Sequence, residues 1–381
     1  MRRALALLAG AVLVAACGQG GNESNVEITG TTPPASGDTG TEPTAPTDPT
    51  DPTSSATDDG GPPEVVETIA TGLEAPWGLD FFADGDAIVT ERDSRRVLRV
   101  GAAGDHKITE LGTIESAAPQ GEAGLLGVAL SPDFERDRTA YFYVSTSSDN
   151  RVVRAELDGN RLGAPEAILT GIPNGFIHDG GRLEFGPDGF LYVSTGETGD
   201  GPLAQDRESL AGKILRITPD GDPAPGNPFD SEVWSWGHRN VQGLAFDGDR
   251  LWASEFGQDT FDELNLIQRG DNYGWPEVEG TGGEPDYVDP QLTWSTDEAS
   301  PSGLVYADGH LWMAALNGER LWRVDVNRNR ARNPQGFFVG DYGRMRTIGV
   351  APDGRLWLMT SNRDGRGEPA KNDDRILLVE P

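Results

Sequence analysis

Residues 178–200 read HDGGRLEFGPDGFLYVSTGETGD. A histidine precedes a Gly-Gly pair, an apolar strand, a Pro-Asp-Gly turn, a second strand and a carboxylate in a Gly-rich loop. Asp-Gly supplies the positive-φ positions that tight hairpins need. The alternation of apolar residues has the period of a strand with one buried face. The strand–turn–strand part recurs along the chain, whereas the His and the Glu do not. The repeat is therefore read as scaffold and its exceptions as candidate chemistry.

Working outward, six copies can be aligned on their turns. They start at Trp77 (WGLDFFADGDAIVTERDSRRVLRV), Leu126 (LGVALSPDF, continuing to RVVRAEL), Gly181 (GRLEFGPDGFLYVS, continuing to GKILRITPDG) and Gln242 (QGLAFDGDRLWASEFGQDTFDELNLI). The last two start at Ser302 (SGLVYADGHLWMAALNGERLWRVDV) and Arg346 (RTIGVAPDGRLWLMTS, ending in RILLVEP). Each has an apolar strand, a turn built from Asp and Gly, an alternating strand and usually a third strand. Starts about 45 to 60 residues apart suit propeller blades with loop insertions. The expectation is an all-β, six-bladed β-propeller over residues 64–381. The stretch EVVETIATGL after Pro63 would add a strand to the last blade and close the ring. Asp84, Asp188, Asp308 and Asp353 read as turn formers.

Composition agrees. Glycine is abundant (51 residues), as tight turns require, and the chain carries a formal net charge of −31. That charge argues against nucleic acid as a partner, and an anionic ligand would need a local arginine or lysine cluster. Cys17 is the only cysteine, so no intramolecular disulfide can form. Residues 1–17, MRRALALLAGAVLVAAC, have two arginines, an apolar run and small residues before Cys17. This is the pattern of a secretory signal segment, and its Val-Ala-Ala-Cys ending resembles a bacterial lipoprotein box. Cys17 would be the lipidated residue, and the protein would be exported and anchored on the outer face of a bacterial cell membrane. Residues 18–63, rich in Thr, Pro, Gly, Ser and Asp and without Lys or Arg, read as a disordered tether.

In a propeller, loops from several blades converge at one end of the central channel. Candidate functional residues are therefore polar exceptions at comparable loop positions. His178 precedes the first strand of the third blade, and Glu197 follows its next strand. A histidine can act as a general base, and a carboxylate can orient it. Read singly, each also fits a packed loop histidine and a solvated loop acid. Arg239 and Asn240, in WSWGHRNVQGLAF, precede the fourth blade; Arg344 and Arg346, in GRMRTIGV, occupy the equivalent place in the sixth. Three arginines at a channel mouth would make an anion pocket. His238 reads as structural. Trp294 and Tyr342 could stack on a sugar, but packing suits each better.

The stretches APWGLDF, GEAGLLGVALSPDF, HDGGRLEFGPDGFLYVSTGE, WGHRNVQGLAF, SEFGQDTFDELNLI, DNYGWP and GRMRTIGVAPDG resemble the soluble pyrroloquinoline quinone (PQQ)-dependent sugar dehydrogenases of the glucose/sorbosone dehydrogenase family. They occur in the family order across nearly the whole chain from residue 64. The resemblance implies a six-bladed propeller, PQQ and Ca2+ as cofactors, an aldose as substrate and an external electron acceptor. It gives His178 the role of base toward the sugar's anomeric hydroxyl. Glu197 takes the place of an aspartate that supports it, one methylene longer. Arg239 matches the arginine at the reacting quinone carbonyl, and Asn240 its neighbour on the cofactor. Arg344 and Arg346 match the pair on the quinone carboxylates, and Glu122 a residue facing the cofactor. Gly257 and Gln258 match two calcium ligands that use backbone carbonyls. One departure is clear: in AALNGERL, Asn317 stands where glucose-oxidising relatives carry a lysine on the cofactor, with Arg320 nearby. The leading expectation is oxidation of an aldose at C1 to its lactone. The alternatives are a propeller that has lost the cofactor and binds a glycan or protein, and a calcium-dependent lactonase.

Overall fold

The computed structural model describes residues 61–381. The signal segment, Cys17 and residues 18–60 of the expected tether lie outside the described residues. Six antiparallel sheets form a closed ring, one per sequence repeat. Their innermost strands are Pro76–Phe81, Leu125–Leu130, Leu183–Phe185, Val241–Asp247, Pro301–Ala307 and Met345–Val350. Each of these contacts the next, and the sixth contacts the first. The last blade is closed as expected: Glu64–Thr71 pairs antiparallel with Arg375–Glu380 and forms its outer strand.

Two recurring sequence features explain the close approach of the inner strands. The first is a glycine in five of them, Gly78, Gly127, Gly243, Gly303 and Gly349. A Cβ on Gly127 would lie 2.2 Å from the carbonyl oxygen of Gly181 in the next blade, so only glycine fits there. The second is a hydroxyl residue near the end of the second strand. Thr90 Oγ1 donates to Leu126 O at 2.5 Å, Ser194 Oγ to Val241 O at 2.8 Å, and Ser254 Oγ to Ser302 O at 2.7 Å. Each bond ties one blade to the inner strand of the next. Thr347 Oγ1 completes the ring by donating to Trp77 O at 2.6 Å.

The apolar faces pack between blades. Six buried clusters fill the six blade–blade interfaces. Trp294 belongs to one of them, 5% exposed and tilted against Trp322. Tyr342 packs edge-on against Phe338 and under the Arg375 guanidinium. Both take the packing role expected of them. Residues 203–215 contribute only a single helical turn, Pro202–Gln205, before the strand Lys213–Ile217.

Candidate active site

At one end of the channel, segments of all six blades, including the one entering blade 3, border a cavity of about 400 Å³. His178 stands beside it, next in sequence to the wall residues Asp179 and Gly180. Its backbone is left-handed (φ 57), an uncommon state for a residue with a side chain. Two bonds hold it there. The His178 N–H donates to Glu122 Oε2 at 2.9 Å, and its carbonyl accepts the Thr198 N–H at 3.2 Å.

The imidazole is held from both sides. Nδ1 bonds to Glu197 Oε1, and Nε2 lies 3.1 Å from Arg239 Nη2. A guanidinium can only donate, so Nε2 accepts and the ring proton sits on Nδ1, facing Glu197. The tautomer is therefore fixed with its lone pair on Nε2, as a general base needs. Glu197 is 2% exposed, and its Oε2 is buried without a partner. Its N–H donates to Arg239 O at 2.8 Å, and Gly196 pairs with Asn240.

Arg239 is fixed from below. Glu255 Oε1 accepts its backbone N–H at 2.5 Å, and Glu255 Oε2 bonds to His238 Nδ1 at 2.8 Å. His238 is fully buried between Glu255 and Ser235 and stacks on Tyr273, the structural role read from sequence. The Arg239 guanidinium lies 5.4 Å from the centre of the Trp275 ring, and its Nε has no partner. Asn240 uses Oδ1 to accept the Gly180 N–H at 3.1 Å, so it orders the wall between His178 and the cavity.

The cavity wall carries Arg92, Arg344, Arg346 and Arg366 against Glu122, Asp179 and Asp364. Asp364 organises all four arginines. Its Oδ2 accepts from Arg344 Nε at 3.0 Å and Arg346 Nη2 at 3.3 Å, its carbonyl from Arg92 Nη2 at 3.1 Å, and its Oδ1 from the Arg366 N–H at 2.9 Å. Burial works to raise the Asp364 pKa, but the Arg346 and Arg344 charges outweigh it and lower the value. Glu122 is lowered as well, because the His178 N–H and Arg366 overcome its burial. Asp179 moves the other way. Burial pushes it up to about 6 despite bonds from Asn150 and the Gly175 N–H. Its Oδ2 is buried and unpartnered.

The other two predicted groups lie apart from this wall. Asn317 is exposed and donates to Thr296 O at 3.3 Å, while its neighbour Leu316 lines the cavity. Gly257 and Gln258 begin a loop tied to two carboxylates. The Gly257 N–H donates to Asp262 Oδ1, and the N–H groups of residues 258–261 all donate to Glu279 Oε1. Among the described residues there is no group of three or more His, Cys, Asp or Glu able to hold a metal, so a cation here would depend on carbonyl oxygens. Sequence reasoning missed Arg92, Asp179, Asp364, Arg366 and Phe176. Phe176 is 66% exposed at the cavity. A signal for two of them was present in SNRDGRGEP, a Gly-rich charged loop directly after the second strand of the sixth blade.

The geometry defines a class: a β-propeller with a histidine held in one tautomer beside an arginine-lined cavity. Residues 73–376 match the family model described as Glucose / Sorbosone dehydrogenase. The structure of the PQQ-bound form of an aldose sugar dehydrogenase from Streptomyces coelicolor is 56% identical, covering 85% of this chain and 99% of that one, with a TM-score of 0.82. The aldose sugar dehydrogenase YliI of Escherichia coli K12 is 29% identical over 79% of this chain and 91% of its own length. Quinoprotein glucose dehydrogenase B of Acinetobacter calcoaceticus is 33% identical over 58% of this chain and 54% of its own. The chain belongs to the glucose/sorbosone dehydrogenase family.

Proposed function

We propose that this protein is a PQQ-dependent dehydrogenase that oxidises an aldose at C1 to the lactone and passes the electrons to an external acceptor. The observation that carries the reading is the fixed His178 tautomer beside a cavity walled by four arginines. The cavity fits an anionic quinone on its own chemistry. In a chain of net charge −31, this wall has more guanidinium groups than carboxylates. Arg239 Nε and Arg346 Nε are buried donors without partners, which a ligand rich in carbonyl and carboxylate oxygens would satisfy. Arg92, Arg344 and Arg346 would hold its carboxylates and Arg239 a ring carbonyl.

When bound, the quinone supplies a two-electron acceptor for the C1 hydrogen. The protein's own part is proton handling. His178 Nε2 takes the proton of the C1 hydroxyl, and the Glu197 carboxylate at Nδ1 stabilises the resulting imidazolium. Arg239 donates toward the reacting groups from a buried position, where such a donor acts more strongly than in water. Glu122 keeps the His178 backbone in its left-handed state and so aims the ring. Calcium at the carbonyls of Gly257 and Gln258, and export with a lipid anchor at Cys17 on the outer face of a bacterial membrane, belong to the same proposal. The first is supported by the loop's carbonyl chemistry and the second by the sequence of residues 1–17.

Reconstitution tests the function. Apoprotein is mixed with calcium and PQQ and assayed for aldose-dependent reduction of a dye. Turnover on at least one aldose is expected; quinone uptake without turnover across a broad aldose panel would favour a binding propeller instead.

A further inference from the structure

The cavity's four arginines are not equally committed. Arg92, Arg344 and Arg346 are 5–7% exposed and anchored on Asp364. Arg366 differs: its side chain is 55% exposed, and its guanidinium pairs with Glu122 Oε1 at 2.7 Å. Its backbone is nonetheless fixed by the bond from its N–H to Asp364 Oδ1, after a turn at Gly365 (φ 91). A flexible, charged side chain thus stands on a fixed base at the cavity. Because the Arg366 side chain remains largely in solvent, its pair with Glu122 is screened and weak, so exchanging it for another carboxylate costs little. Glu122 is not stranded by the exchange, because Oε2 keeps the His178 N–H.

We propose that Arg366 is a cofactor-contacting residue: stored on Glu122 in the free protein, it transfers to a carboxylate of the quinone on binding. The inference rests on the quinone reading above. It adds a mobile cation to three fixed ones. It also supplies positive charge on the cofactor in a chain whose fifth-blade loop offers Asn317 rather than a cation.

The test is binding rather than turnover. Quenching of tryptophan fluorescence by PQQ, with calcium present, gives Kd for wild type, Arg366→Ala and Arg366→Lys; Trp77 in the cavity wall is the nearby reporter. Kd should rise at least tenfold in Arg366→Ala and less in Arg366→Lys. Added salt should weaken wild type more than Arg366→Ala, since one screened charge pair is gone. A thermal melt of each variant close to that of wild type shows that the fold is kept, as the side chain's exposure implies. Both variants binding within twofold of wild type would overturn the inference and leave the quinone reading standing. Wild type failing to take up PQQ would instead bring down the quinone reading itself.

Discussion

At the scale of single residues, the chemistry proposed for the site depends on how His178 is held. Glu197 holds the Nδ1 proton and, with His178 as the proposed base, would stabilise the positive charge on the ring. Glu197→Gln retains an acceptor for Nδ1–H but removes the carboxylate's charge. We expect kcat to fall by about 10²-fold or more, with quinone Kd within threefold, measured by steady-state kinetics and fluorescence titration. Both residues were legible in the sequence as exceptions to a repeat. Their contact followed from the hairpin that joins their loops. Asp179 was not legible, because the partners that bury it, Tyr143 and Asn150, are distant in sequence. Its pKa of about 6, above the ordinary 3.8, means that between these values the folded protein holds a proton the unfolded chain has released. Its contribution to stability falls as pH rises through that window and is level above it. Asp179→Asn removes the effect. In melts of the apoprotein, the variant should gain stability over wild type between pH 4 and 6, to no more than roughly 3 kcal/mol, and keep that gain unchanged above pH 6.

At the scale of elements, the site depends on loop segments that approach too closely for side chains. A Cβ on Gly196 would fall 1.8 Å from the His178 carbonyl oxygen. The obstacle is backbone, so it cannot rotate away. Gly196→Ala should displace His178 and lower kcat by about 10²-fold, with the β-sheet circular dichroism retained. The loop carrying Asp364 and Arg366 was the least legible part of the site. Strand periodicity ends at Thr360, and nothing in SNRDGRGEP shows that one aspartate collects arginines from blades 1 and 6. The outer strands of the blades escaped sequence reading for a related reason. Arg330–Phe337 and Glu166–Ile172 are mostly exposed, so they lack the alternation that marked the inner strands.

At the scale of the whole molecule, closure by the N-terminal strand was legible because EVVETIATGL had no turn partner of its own. Glu64–Thr71 supplies a ladder to Arg375–Glu380 and buries Ile69 and Ala70 in the cluster between the last and first blades. Losing several ladder bonds at about 1 kcal/mol each and one buried aliphatic side chain at about 2 kcal/mol should matter in a chain this size. Deleting the residues through Thr71 is expected to lower Tm by roughly 5–10 °C; a change within 1 °C would show that the ring does not need this strand. The six-blade count was legible because the strand–turn–strand pattern recurs six times, with an Asp-Gly turn in five copies and a glycine in five inner strands.

In the proposed reaction His178 takes a proton from an aldose while a quinone held by the arginine wall takes its electrons. Anaerobic single-turnover spectroscopy tests it most directly: aldose is added to PQQ-loaded protein with no external acceptor, for wild type and His178→Ala. Stoichiometric reduction of the quinone absorbance is expected in wild type. In His178→Ala, reduction should slow by about 10²–10⁴-fold, with quinone still bound. Reduction in His178→Ala at the wild-type rate, or none in quinone-loaded wild type across the aldoses tried, would contradict it.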